Sequence, residues 1–413
     1  MYTWRIGVFL GSRVFSTLGD QLLQFAVPLI VYDATGSVTM SGLAFLIEWL
    51  PRLTSLPLAG LLADRVGGRR LYTTADILRA TACLLTVLAL GQWPGETFKL
   101  TAALMALCAF CYAQAFIALE STVPQLVPKE DLAKAQSLLQ MINSGSGVLG
   151  PAAGGALLIW IRPADLLWAA AAVFAVSACG VLALRGLGAH AAGTSSATAA
   201  AERRSVLHDL RVGVRSLRAE PVLLSLVGLT MTVNLMVGIA TATGAALTVG
   251  HFGQSDSVFA SLQMTVGSLS LATFFLMPWL LRRVSVYRIG IVSFVGIAVG
   301  GTLITVAPLF PLYVLGYGLC IGLCGLFNVF IRIERLHWIK EPERGRVISL
   351  IVLLNQSTMP LSGLLVAVVG GWLPVQTLFL AVAALAVVAY LLLFRPLQGQ
   401  AVTARPAEAT AAA

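Results

Sequence analysis

The sequence predicts an all-α integral membrane protein, with 12 transmembrane helices arranged as two pseudo-symmetric six-helix bundles. Three observations carry this expectation. The chain of 413 residues is 58% hydrophobic and only 11% charged, whereas roughly a quarter of the residues in a soluble domain are charged. Its apolar residues gather into 12 runs, each long enough for the ~20 residues that a helix needs to cross a bilayer. The basic residues are one-sided: with the N-terminus inside, 21 Lys and Arg face the cytoplasm, 2 lie outside (Lys99 and Arg162) and 4 sit within the runs. That asymmetry places both termini in the cytoplasm and accounts for the net charge of +9 without a nucleic-acid partner.

The expected spans lie near 6–32, 38–63, 71–91, 98–123, 132–160, 164–184, 221–250, 256–281, 286–306, 309–334, 344–371 and 373–394. In the first, Arg13, Ser16, Asp20 and Gln24 recur at helical spacing, so one polar stripe faces a cavity or other helices. Asp20 falls near the midplane, with Arg13 roughly 10 Å closer to the cytoplasm at about 1.5 Å per residue. Carboxylates are too costly in hydrocarbon to be incidental. Both residues are therefore candidates for function, the plainer alternative being an ion pair that only holds the bundle together. In the second span Glu48 and Arg52 form an i, i+4 pair at nearly the depth of Asp20. Pro51 and Pro57 remove backbone donors there and loosen the helix.

Between the second and third spans, Gly60-Leu61-Leu62-Ala63-Asp64-Arg65-Val66-Gly67-Gly68-Arg69-Arg70 is expected to form a tight cytoplasmic turn. Its glycines permit the reversal and its arginines stay at the headgroups. Asp76 and Arg79, on the first turns of the third span, are expected to brace that turn. The fourth span closes in a charged loop from Glu120 to Leu132. The fifth contains Gly150-Pro151-Ala152-Ala153-Gly154-Gly155, small residues that admit a close neighbour and a proline that bends the axis. After the sixth, residues 186–220 form the one long polar connection, and Val206 to Arg218 alternates apolar and basic residues as a helix lying on the membrane surface would. His208 in it reads as a solvated residue.

The second half repeats the first weakly. At an offset of 212, Ser137, Leu138, Asn143 and Leu149 recur as Ser349, Leu350, Asn355 and Leu361. The expected organisation is an N-terminal bundle over 1–185, the 186–220 linker, a C-terminal bundle over 221–395, and a disordered tail over 396–413. Pro278 to Arg283, the counterpart of the Gly60 turn, has neither its Asp nor its glycines. Arg332, Glu334 and Arg335 end the tenth span, where Arg332 lies deep enough to be a candidate, the plainer alternative being an ion pair at the inner surface. The six cysteines all fall within spans and imply no disulfides; Cys108 and Cys111 read as packing residues rather than a metal pair. No cleavable leader, phosphate-binding loop, metal-ligand cluster or cofactor motif is apparent.

Gly60-x-Leu62-Ala63-Asp64-Arg65-x-Gly67-x-Arg69-Arg70 resembles the signature between the second and third helices of major facilitator superfamily transporters. The resemblance implies the major facilitator fold, a small-molecule cargo carried by alternating access, and a latching role for Asp64. Gly150-Pro151-x-x-Gly154-Gly155 is similar to the signature that the superfamily's exporters carry in their fifth helix, and implies efflux. Arg13-x-x-Ser16-x-x-Gly19-Asp20, Ala26-x-Pro28, Thr35-Gly36-Ser37 and Pro124-x-Leu126-Val127-Pro128-x-Glu130 resemble the branch of siderophore and drug exporters that includes the enterobactin exporter. The chain departs from one family pattern, because the arginine often found in the fourth helix of proton-coupled members is absent from 98–119.

What the resemblance implies is a proton-driven exporter of a polar or anionic metabolite such as a siderophore, monomeric, in the plasma (inner) membrane. Asp20 and Glu48 would exchange protons, and Arg13, Arg52, Gln24 and Arg332 would meet the cargo or compete for the acids. The alternatives are a broad multidrug exporter, a lipid flippase or metal exporter, and a membrane sensor or scaffold that moves nothing.

Overall fold

The structure, a computed structural model, describes residues 4–127, 131–183, 206–339 and 344–394. The regular structure within them is helical. The first half holds α1 (Trp4–Thr35), α2 (Val38–Thr54), α3 (Leu56–Val66), α4 (Gly68–Gln92), α5 (Thr97–Leu126), α6 (Leu132–Leu157) and α7 (Leu166–Ala183). The second holds α8 (Val206–Ala219), α9 (Pro221–Ala245), α10 (Asp256–Arg283), α11 (Val286–Val306), α12 (Phe310–Gly322), α13 (Cys324–Trp338), α14 (Arg344–Val369) and α15 (Gln376–Ala389). A π-helical turn over Ala246–His251 extends α9.

Among the described residues, 9 helical stretches are long and apolar enough to cross a membrane, and α10, which is bent, makes 10. The two expected spans outside that count are the ones the sequence itself interrupts. The second is two helices, α2 and α3, separated at Ser55 between Pro51 and Pro57. The fifth, α6, is diluted by its serines and glycines. The tenth expected span is also divided, at Leu323 between α12 and α13.

The turn after α3 is smaller than the sequence suggests. Gly60 to Val66 is helical and belongs to α3, and Gly67 alone turns the chain into α4. Its φ of +86° is a conformation that only glycine adopts without strain. Arg65 and Arg70 are exposed beside it. The backbone of Asp64 lies in α3, but its side chain, like the 186–205 stretch and the 396–413 tail, is outside the described residues.

The chain divides into two compact units, and the division is not a single point in sequence. The first gathers Met1–Thr198, Ala242–Ser268 and Val366–Gly371; the second gathers Ala199–Thr241, Leu269–Leu365 and Trp372–Ala413. In the first unit, α1 is the central element and packs on α7 and α6, while α4 packs on α5 and α7. Its buried core includes Leu22, Phe25, Val27, Leu166, Leu167 and Phe174. The α6 glycines set the spacing against α1: a Cβ on Gly150 would collide with the Gln21 side chain, and one on Gly154 would come within 2.5 Å of Phe25. The exporter-like signature is therefore, in its geometry, the place where two backbones approach.

In the second unit, α11 packs on α12, α13 and α15 around Phe294, Tyr313, Tyr317, Phe327 and Phe330, all buried. The amphipathic stretch is helical as α8, and its buried residues Gly213 and Leu217 mark an inward face, with Gly213 against Leu350 of α14. All six cysteines are free thiols within helices.

Candidate functional site

Arg79 is the largest of the fully buried side chains, 0% exposed, and the candidate site is built around it. It sits on α4, where Ala75, Asp76 and Cys83 continue the same buried face at three- and four-residue intervals. Its guanidinium donates from Nη1 to Asp20 Oδ1 at 2.6 Å and from Nη2 to Asp76 Oδ1, and Nη2 also donates to Ser16 Oγ at 3.1 Å. The Ser16 hydroxyl in turn donates to Asp76 Oδ1 at 3.2 Å, and Ser177 of α7 donates to Asp76 Oδ2 at 2.5 Å. Beneath the guanidinium, 4.5 Å from its carbon, lies the Phe174 ring, also of α7. Gly19 makes room for that ring, since a Cβ there would stand 2.7 Å from it.

Two carboxylates thus share one cation in a fully buried place. If all three groups are ionised, the cluster carries one uncompensated negative charge, which a low-dielectric interior penalises by several kcal/mol. One proton removes it. Asp20 Oδ2 is buried with no hydrogen-bond partner within the protein, so that oxygen has room for the proton.

This changes two expectations. Asp76 and Arg79 do not brace the cytoplasmic turn; both are 0% exposed, and Arg79 holds Asp20 and Asp76 together. Arg13, two turns below Asp20 on α1, is buried and donates to Asn143 Oδ1 on α6 at 3.1 Å. Depth arithmetic carries the missed signal: Arg79 is eight residues past Leu71, roughly 12 Å into the membrane at about 1.5 Å per residue.

Glu48 and Arg52 form a second group on α2. Glu48 is buried and within Coulombic reach of Asp20. Its Oε1 stands 3.8 Å from Arg52 Nη2, an ion pair too long for a hydrogen bond. The Arg52 guanidinium instead rests on aromatic faces, 3.9 Å from the centre of Tyr112 on α5 and 4.6 Å from that of Trp49. Three buried polar atoms along this stretch, Trp49 Nε1, Arg52 Nε and Ser55 Oγ, have no hydrogen-bond partner within the protein. Each unpartnered buried donor costs about 1–3 kcal/mol.

The remaining candidates are placed apart. Gln24 is half-buried on α1, one turn beyond Asp20. Arg332 is exposed on α13, within the second unit. Gln114, which no sequence signal singles out, is buried on α5 with neither amide atom partnered.

Comparison with known proteins bears on what such a membrane-embedded cluster serves. The chain is 25% identical over 376 residues to the MFS-type transporter y4rN of Sinorhizobium fredii, covering 87% of this chain and 86% of that protein. It is 27% identical over 212 residues to the multidrug efflux pump Tap of Mycolicibacterium fortuitum, and 28% identical over 157 residues to macrolide efflux protein A of Streptococcus pyogenes. Those two alignments cover 50% and 37% of this chain, and span 51% and 38% of the relatives. Among solved structures, the fold matches a mutant form of the nucleoside transporter NupG with a TM-score of 0.73 at 12% identity, covering 92% of this chain and 98% of that one. It matches a bacterial homologue of the iron transporter ferroportin with a TM-score of 0.70 at 17% identity, covering 94% and 98%. The family model of the Major Facilitator Superfamily matches residues 9–333, a range that takes in every charged residue of both clusters on α1, α2 and α4. The chain is a multi-pass membrane transporter of the major facilitator superfamily.

Proposed function

We propose that this chain exports a small polar or anionic molecule, a siderophore being the type case, in exchange for protons. The observation that carries the reading is the Asp20–Arg79–Asp76 cluster. Its two buried acids for one arginine leave a charge that a single proton cancels, and the unpartnered Asp20 oxygen can accept it. Protonation weakens the hold of Asp20 on Arg79 and so couples a proton to the side-chain bridge between α1 and α4. Glu48, within the field of Asp20, is the second acid through which the proton passes. Gln24 and Arg13 extend the polar stripe along α1 toward the cargo, and Asp64 latches the cytoplasmic side.

In this reading the protein works as a monomer in the plasma (inner) membrane with both termini in the cytoplasm, and its two six-helix bundles rock about the cargo. The test is accumulation in inside-out proteoliposomes under an imposed pH gradient. Asp20→Asn abolishes gradient-driven accumulation if the cluster is the coupling site, and unchanged accumulation rejects it.

A second reading has its own support. Tap and macrolide efflux protein A are both efflux proteins by name, which favours drugs as the cargo. Protection of an efflux-deficient host against unrelated lipophilic cations, with no effect on acidic dyes, would select that reading. A parent protein that moves neither class would leave a sensor or scaffold.

A further inference from the structure

Arg79 and Arg52 of the first unit are held in different ways. Arg79 is clamped through its terminal nitrogens: two carboxylates and a serine oxygen accept from them, a ring face lies beneath, and its Nε alone lacks a partner. Arg52 has no such carboxylate clamp. The carboxylate beside it lies at 3.8 Å, its Nε has no partner, and Tyr112 and Trp49 supply its closest support. Aromatic faces keep a cation in place without occupying its N–H donors, so the positive charge and the donor fork both remain available.

Three of the unpartnered atoms lie along one stretch. Trp49 and Arg52 on α2 and Ser55 at its C-terminal cap are spaced three apart, with about 4.5 Å of rise from each to the next. Ser55 is buried where α3 begins, the position at which a serine hydroxyl ordinarily caps the helix, yet it makes no such hydrogen bond. Two of the three groups are donors only, and the third can donate. An ammonium ligand would satisfy neither of the first two and would add a like charge beside Arg52. An oxyanion can accept from each of them.

We propose that this stretch is an anion-recognition stripe, in which Arg52, Trp49 and Ser55 receive a carboxylate or comparable oxyanion of the cargo. Glu48 is the built-in counterion that the cargo displaces. The proposal rests on the reading of the chain as an exporter and names the part of its cargo that is recognised. A proton on Glu48 removes the internal competitor, so proton and anion favour one another at this stripe.

Binding to the purified, bilayer-reconstituted protein tests it, read by anisotropy with two dyes of one ring skeleton: carboxyfluorescein as the anion and a rhodamine ester as the cation. The expected results are that the parent binds carboxyfluorescein and that Arg52→Ala weakens it about tenfold or more, as loss of a charge-assisted fork should. Ser55→Ala weakens it less, and Glu48→Gln tightens it while flattening its pH dependence. Rhodamine binding does not fall in Arg52→Ala. Should Arg52→Ala fail to fold, the Glu48→Gln and Ser55→Ala effects decide. No carboxyfluorescein binding by the parent, or binding indifferent to Glu48→Gln and Ser55→Ala, overturns the stripe. Gradient-driven export of the rhodamine with no carboxyfluorescein binding would leave export standing and remove the stripe. Binding through Arg52 with no gradient-driven movement of either dye would keep the stripe and remove proton-driven export.

Discussion

Replacing Asp20 with asparagine separates the electrostatic role of the buried cluster from its role in packing. The substitution keeps the shape and removes one negative charge, leaving Arg79 and Asp76 as a neutral pair. The lost attraction to Arg79, whose nitrogen is 2.6 Å from Asp20 Oδ1, is about 4 kcal/mol at a charge separation near 4 Å and an effective dielectric of ~20. Relief of the repulsion between the two acids and of the desolvation of Asp20, itself several kcal/mol, offsets most of it. We therefore expect a thermal unfolding midpoint close to that of the parent. We also expect loss of pH-gradient-driven accumulation with downhill exchange retained. Arg79→Gln is the opposite case: it leaves two buried acids without a cation and should cost about 3–5 kcal/mol, seen as a large drop in the midpoint. An Asp20→Asn protein that accumulates cargo under a gradient as the parent does, or an Arg79→Gln protein of undiminished stability, would refute the reasoning.

Other consequences follow from the packing. Phe174→Ala removes the ring under Arg79 and opens a cavity, and should cost about 3–5 kcal/mol in thermal or denaturant unfolding. Gly154→Val should cost about 1–3 kcal/mol by overpacking against Phe25 and should slow transport, whereas Gly145→Ala, where an added Cβ meets open space, should leave both unchanged. A green fluorescent protein fused after residue 394 should fluoresce and a periplasmic reporter at the same point should be inactive; the reverse pattern would overturn the assigned orientation.

Much of the fold can be read from the sequence because the bilayer makes hydrophobic runs and charge asymmetry nearly sufficient. The polar members of α1 and α2 are also legible, since Arg13, Asp20, Glu48 and Arg52 interrupt apolar runs where charge is expensive. Their partners are less so. Helical spacing says that Asp20 and Arg13 share a face, but not that the long Arg79 side chain reaches Asp20 from α4 while Arg13 turns to Asn143. Asp76 and Arg79 mislead because closeness to a charged turn in sequence outweighs the depth to which α4 carries them. Arg332, on α13, is exposed. The aromatic supports Tyr112 and Phe174 carry no local signal at all, because each becomes meaningful only when α5 and α7 are in place.

The Arg79 cluster ties three helices together: Asp20 and Ser16 come from α1, Asp76 from α4 itself, Ser177 from α7. Such a rivet forbids these three from sliding past one another while it is intact. Any stroke of the machine must then either carry the trio as one stiff lever or begin by undoing the rivet, and a hydrogen ion is the smallest key that fits it.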